Sequence, residues 1–146
     1  MVIGIIAGSF DCIHPGYIHM FDQMKEDCDQ VFILLQTDSS IERPEKLKPI
    51  LSASERIDML MSLRQIDMVH RYELESDLYD LLKQFERHNA SDVFDSKYVR
   101  YLGDDYIGKP FTGDDLDIPI HYLNRDHGWS TTKYKQLIAA SLTWNF

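Results

Sequence analysis

The chain has 146 residues, of which 44% are hydrophobic and 27% charged. These values suit one globular domain that buries its own core, and they argue against disorder. A net charge of −9 speaks against a nucleic-acid surface; no apolar run approaches the roughly 20 residues that span a bilayer, and the N-terminus lacks a signal peptide's basic flank, so a cytoplasmic protein without nucleic-acid or membrane partners is expected.

In chain order, residues 2–7 form an apolar run of strand length that ends at Gly8. From Gly16 onward Tyr17, Ile18, Met20, Phe21 and Met24 recur at helical spacing, and residues 31–35 read as a second strand. Residues 37–51 are polar, hold Pro44, Pro49, Lys46 and Lys48, and read as an exposed loop. Ser52 and Glu55 have the spacing of a capping box, with Ile57, Leu60, Met61 and Leu63 continuing a helix. Residues 68–72 are a third strand and residues 77–88 an amphipathic helix with Leu78, Leu81, Leu82 and Phe85 on one face. A fourth strand over 98–102, an acidic loop over 104–117, a fifth strand over 118–123 and a last helix over 131–142 complete the chain. Cys12 and Cys28 are too few and isolated for a zinc site and are expected to stay reduced.

This alternation predicts a single-domain α/β fold, a doubly wound parallel sheet of about five strands with helices on both faces. Such sheets bind ligands at the carboxyl ends of their strands, and the unusual residues collect there: 8–16, 37–48, 103–105 and 125–132.

In GSFDCIHPGY, Gly8 and Ser9 let backbone approach a ligand closely, Gly16 opens a helix whose free N–H groups favour an anion, and His14 stands two residues before it. In RDHGWSTT, three consecutive hydroxyl residues exceed what capping one helix needs, and Arg125 can bind phosphate oxygens beside them. Taken singly, the first segment also reads as a plain turn and Ser130 and Thr131 as plain caps. Two phosphate-ready helix starts in one short chain favour a triphosphate. The carboxylates of the acidic loop match no calcium-loop spacing, and solvated loop charges are the simpler reading, so no protein-built metal site is assigned.

The two segments together resemble the cytidylyltransferases, whose patterns are G-T-F-D followed by H-x-G-H, and R-T-x-G-I-S-T-T. The similarity runs over nearly the whole chain and is nearest to the glycerol-3-phosphate cytidylyltransferase branch. It also takes in Thr37-Asp38, the loop lysines, Arg56, Arg64 and the GDDYIGK segment from Gly103. The resemblance implies a Rossmann-like nucleotidyltransferase fold and transfer of CMP from CTP, with Mg²⁺, to a small phosphorylated alcohol, releasing pyrophosphate. It implies that Gly8, Ser9, Phe10 and His14 line the triphosphate and nucleotide, with Asp104 touching the same site. Arg125, Gly128, Ser130, Thr131 and Thr132 would close over it. Lys46 would neutralise phosphates, with Lys48 its rival; Asp38, Lys48, Arg56 and Arg64 fall on the substrate side. The two arginines act there by shaping the site or a dimer, or else are solvated helix charges. A homodimer is implied as well.

One departure stands out: Tyr17 occupies the place of the second motif histidine, three residues after His14, where it shares His14's helical face. His19 cannot substitute, because two further residues rotate it by about 200 degrees. Two other readings therefore remain: an ATP-using adenylyltransferase of the same fold, and a nucleotide-binding protein whose catalysis weakened when Tyr17 replaced histidine.

Overall fold

The computed structural model describes residues 1–143. Five strands, β1 (Val2–Gly8), β2 (Gln30–Gln36), β3 (Met68–Tyr72), β4 (Lys97–Gly103) and β5 (Ile120–Leu123), form one wholly parallel sheet in the order β3-β2-β1-β4-β5. The helices are α1 (Pro15–Asp27), α2 (Ala53–Met61), α3 (Glu75–Ala90) and α4 (Thr131–Thr143), with a 3-10 turn over Asp104–Tyr106. The expected doubly wound architecture is present.

Period-two alternation sorts the strand residues between two cores. Ile6, Val31, Ile33, Leu35 and Tyr101 pack under α1 and α2 with Phe21, Met24 and Leu60, whereas Ile5, Leu34 and Tyr72 pack under α3 with Leu78 and Leu82. Both faces of the sheet are thereby covered, as parallel sheets require.

Element ends depart from the sequence expectation where local chemistry intervenes. The strand expected from residue 118 begins at Ile120, because Pro119 has no N–H to donate to a ladder; its carbonyl still accepts from Arg100 N at 2.8 Å. α2 ends at Met61 rather than continuing through Leu63. α3 starts at Glu75, two residues earlier than the apolar spacing suggested, with the Asp77 carboxylate accepting from Leu74 N at 2.9 Å. The Ser52–Glu55 capping box forms reciprocally, at 3.1 and 2.9 Å. No helix among the described residues is long and apolar enough to cross a membrane.

Strand order reverses between β1 and β4, so their carboxyl ends open the crevice of the sheet. Most of the residues singled out from the two motifs converge there.

Candidate active site

β1 leaves the sheet through a turn with two non-glycine residues in the left-handed region, Phe10 at φ 51° and Cys12 at φ 54°. Such backbone costs on the order of 1–3 kcal/mol per residue and persists only where its surroundings hold it. Asp11, between them and 3% exposed, does the holding. Its carboxylate accepts from Ile50 N at 2.8 Å and Leu51 N at 3.1 Å, and it ion-pairs with Lys135 Nζ of α4 at 2.7 Å. Burial opposes its charge, but the Lys135 hydrogen bond and the two N–H groups together outweigh burial and hold the Asp11 carboxyl below its usual range.

The turn delivers His14 to the N-cap of α1, where its Nδ1 accepts the Gly16 N–H at 3.1 Å. That bond fixes the tautomer: the neutral ring carries its proton on Nε2. His14 is 5% exposed, and burial foremost, then the nearby positive charge of His127 and Arg125, pushes its pKa down to about 4. At neutral pH it is an uncharged donor whose Nε2 lies 3.5 Å from Thr131 Oγ1 at the start of α4. Tyr17 stacks on the same imidazole with centroids 4.2 Å apart, and its hydroxyl shares a 2.7 Å hydrogen bond with Thr131 Oγ1. The two helix starts, more than a hundred residues apart in sequence, therefore meet.

Gly16 makes the meeting possible. A Cβ there would lie 2.7 Å from Trp129 Cβ and 2.8 Å from His127 Cε1, so only glycine lets the segment before α4 close onto α1.

A cavity of about 620 Å³ opens at this rim. Among the residues singled out from sequence, Gly8, Ser9, Phe10, His14, Tyr17, Lys46, Arg125, Ser130, Thr131 and Thr132 line it. Several are already engaged. The Phe10 ring is buried against Tyr17 and Phe21, so its contribution to the cavity wall is slight. Ser130 Oγ caps α4 by accepting from Lys133 N at 3.1 Å. Arg125 ion-pairs with Asp105 at 2.9 Å, and Asp104 accepts the Arg125 N–H at 3.3 Å. Lys46 is exposed at the cavity edge.

The remaining candidates stand elsewhere. Lys48, Asp38, Asp104, Gly128 and Arg64 are not on the cavity wall. Asp38 turns to Ser40, accepting from its N–H and hydroxyl at 2.9 and 2.5 Å. Asp105, rather than Asp104, is the acidic-loop carboxylate that faces the cavity. Gly128 supplies a φ of 77° in the turn before α4. Arg64 is exposed past the end of α2. Arg56 corrects the solvated-charge reading and does not reach the cavity: it is 2% exposed, and its guanidinium donates to the carbonyls of Ser9, Gln36, Thr37, Leu51 and Ser52. It ties the ends of β1 and β2 to the start of α2, and so shapes the rim from behind.

Sequence reasoning gave Asp11 no role, although it stands in the first motif, and did not single out Lys135, Arg43, Glu75 or Arg100; each of the five lines the cavity. Arg43 and Glu75 form an ion pair at 2.6 Å. The carboxylates of the acidic loop disperse: Asp105 to Arg125, Asp114 to Phe111 N, and Asp115 to the Tyr79 hydroxyl at 2.8 Å. No group of three potential metal ligands occurs among the described residues. A second groove of about 460 Å³ lies on the outer surface of α3 and is lined by residues of that helix alone, with no strand end or second element beside it.

Residues 5–137 match the profile of the cytidylyltransferase-like family. The bifunctional protein HldE of Acidiphilium cryptum is 36% identical over 81 residues, which are 55% of this chain and 16% of that protein. The FAD synthase of Methanohalophilus mahii is 30% identical over 82 residues, 56% of either chain. The chain thus spans between about a sixth and just over half the length of these curated relatives. A lipopolysaccharide core biosynthesis protein from Thermoplasma volcanium shares the fold with a TM-score of 0.65 at 19% identity, covering 86% of this chain and 98% of that one. A candidate nicotinate-nucleotide adenylyltransferase from Vibrio parahaemolyticus does so at 0.62 and 13%, covering 96% and 88%. A five-stranded parallel sheet whose α1 and α4 starts meet at the β1–β4 crevice, in a chain matched by that profile over nearly its whole length, places this protein in the cytidylyltransferase-like family of nucleotidyltransferases.

Proposed function

We propose that the protein transfers CMP from CTP to a small phosphorylated alcohol similar to glycerol 3-phosphate. The observation that carries this reading is the His14–Thr131–Tyr17 contact, which brings two helix N-termini to one cavity. Each N-terminus turns a positive dipole end toward phosphate oxygens; at α1 the Gly16 and Tyr17 N–H groups already bond to His14, so there the imidazole takes the place of free N–H donors.

The chemistry suits a site without an obvious general base. A phosphate monoester has a second pKa of roughly 6, so near neutrality its oxygen is already an anionic nucleophile. That oxygen attacks the α-phosphorus of CTP, a new P–O–P linkage forms, and the bond between the α- and β-phosphates breaks to release pyrophosphate. Catalysis reduces to in-line positioning and charge stabilisation. The His14 Nε2–H, held by its cap bond, donates to a phosphate oxygen without needing to reorient. Lys46 and Arg125 supply positive charge around the phosphates, while Thr131 and Thr132 contribute neutral hydroxyl contacts.

Mg²⁺ would accompany the triphosphate and supply positive charge to the leaving pyrophosphate. Asp105 is the carboxylate beside Arg125 available to meet it, and the cavity provides no cage of its own. A homodimer and a cytoplasmic location are carried by the sequence reading alone.

The similar proteins favour one rival. A synthase of flavin adenine dinucleotide and a candidate adenylyltransferase stand among them, so ATP is the second reading for the nucleotide. Thermal shift with CTP–Mg²⁺ and ATP–Mg²⁺, followed by pyrophosphate release over a panel of phosphorylated alcohols, decides the matter. The proposal expects the larger shift with CTP and CTP-dependent release. A larger shift and release with ATP would transfer the assignment to adenylyl transfer, and nucleotide binding with no release from any acceptor would leave only a binding protein.

A further inference from the structure

The residues proposed to grip the nucleotide occupy one face of the sheet rim, yet the cavity continues onto the other. Arg100 pairs in register with Ile5, which belongs to the core under α3, whereas its neighbour Tyr101 joins the core under α1. Arg100 therefore projects to the α3 side, across the sheet edge from His14 and Thr131. A guanidinium in the middle of a covered parallel strand, KYVRYLG, is out of place unless something binds it.

No carboxylate among the described residues pairs directly with it. Arg100 is 5% exposed and lines the cavity; among the described residues the one hydrogen bond of its side chain runs from Nη1 to the Thr112 carbonyl, and the Phe111 ring lies 5.1 Å from the guanidinium carbon. None of the ion pairs among the described residues involves it. Glu75, the carboxylate in the same chamber, is spent: one oxygen takes Arg43 at 2.6 Å and the other takes the Thr112 hydroxyl at 2.8 Å. Arg43 and Glu75 pair with each other, and the carboxylates that act on Arg100, Glu75 and Asp114, do so from beyond ion-pair distance, so its guanidinium has no direct anionic partner. Arginine does not shed its proton in proteins, so a buried guanidinium with donors to spare and no carboxylate is held at a cost that a bound oxyanion would relieve. Tyr72, Leu78, Tyr106 and Phe111 also line the cavity and make this part of its wall largely aromatic.

We infer that this half of the cavity is the distal site for the acceptor, where Arg100 binds a second anionic group, carboxylate or phosphate, carried beyond the reacting phosphate. The inference rests on the nucleotidyl-transfer reading for the acceptor's identity, but Arg100's selectivity is measurable without turnover. Glycerol 3-phosphate, which ends in neutral hydroxyls, would then be a poor acceptor. Charge-assisted pairing to a planar fork makes the expected preference about tenfold or more.

The test uses three probes: glycerol 3-phosphate, 3-phosphoglycerate, which adds a carboxylate, and propane-1,3-diol bisphosphate, which adds a phosphate. Calorimetric binding in the presence of the nucleotide, and pyrophosphate release in parallel, are measured for the unmodified protein, Arg100→Gln and Arg100→Lys, with melting temperature and nucleotide affinity as checks on folding. The expected result is at least tenfold tighter binding of one or both doubly anionic probes than of glycerol 3-phosphate. That ratio should collapse toward one in Arg100→Gln and recover in part in Arg100→Lys; which probe gains identifies the group. Equal binding of the three probes, no binding of any of them, or a ratio unmoved by Arg100→Gln overturns the inference. Preference without release keeps it and defeats the transfer reading, whereas release without preference does the reverse.

Discussion

Two helices face each other across the crevice, and they are held in opposite ways. α1 buries Gly16, Met20, Phe21 and Met24 in the core, and its start is capped by a buried histidine. α4 buries no residue; Leu137, Ile138 and Leu142 are exposed along it. Its purchase on the domain lies at its first turn or two, through Thr131 to Tyr17, Lys135 to Asp11 and an edge contact of the Tyr134 ring with His14. The contrast teaches that α1 is a platform fixed by apolar burial, whereas α4 is a clasp fixed by a few directional contacts around the proposed phosphates. Hydrophobic burial makes one half of the site rigid. Polar pins leave the other able to respond to what binds.

The largest expected effect tests that contrast directly. Phe21→Ala removes a fully buried ring from α1 and should cost about 3–5 kcal/mol in urea unfolding, whereas Leu142→Ala, at a residue 62% exposed on α4, should stay within about 0.5 kcal/mol. Comparable losses from the two would show that α4 packs into the core after all.

Acid comes next, through His14. With a folded-state pKa of about 4 against an ordinary 6.5, His14 contributes nothing above pH 6.5, where it is neutral folded and unfolded alike. Between about pH 6.5 and 4 the unfolded chain takes up a proton that the native state refuses, so stability falls as pH falls, by at most about 1.4 kcal/mol per pH unit. Below about 4 the native state protonates too and the slope ends. His14→Asn keeps an N-cap acceptor while removing the titration, and should flatten this limb of a pH-dependent melt.

Lys135→Met breaks the second pin. It leaves Asp11 buried with two backbone N–H donors and no cation, for an expected loss of about 1–3 kcal/mol. Asp11's depressed pKa gives stability that is present above the unfolded carboxylate value and is lost as pH falls through the folded one, so without Lys135 the acid loss should begin at higher pH. Hydrogen exchange should quicken at the start of α4 and not along α1.

These pins also mark what the sequence made legible. Apolar runs and spacing fixed the strands closely: residues 68–72 coincide with β3, and the Ser52–Glu55 box forms as read. The convergence of residues 8–16 and 125–132 on one rim was legible because parallel sheets bind at strand ends. What stayed hidden was the partnering of charges. Arg56 looks like a solvated helix residue because nothing local says that five carbonyls from strand ends and a loop will surround it. Asp11 is read only as part of its motif and Lys135 draws no reading, because their pairing exists only after the sheet brings α4 over β1. Arg100 did leave a signal, a charge inside a strand covered on both faces, which periodicity alone passes over.

The smallest effect concerns the contact that joins platform to clasp. Tyr17→Phe keeps the stack on His14 and deletes only the hydroxyl that shares a hydrogen bond with Thr131, so it should cost about 1 kcal/mol. Thr131 then keeps only the 3.5 Å approach of His14 Nε2. Tyr17→His asks the complementary question. A histidine at this position would give up the Thr131 contact but bring, once a bound phosphate holds its charge, a cationic donor to the same helical face as His14, and replacing a neutral bond to phosphate by a charge-assisted one should raise turnover about tenfold if the protein is a transferase. A histidine variant that binds nucleotide normally and turns over no faster would mean that Tyr17 serves the junction between the helices, not the phosphates. The pair of substitutions thus separates holding α4 in place from stabilising the reaction.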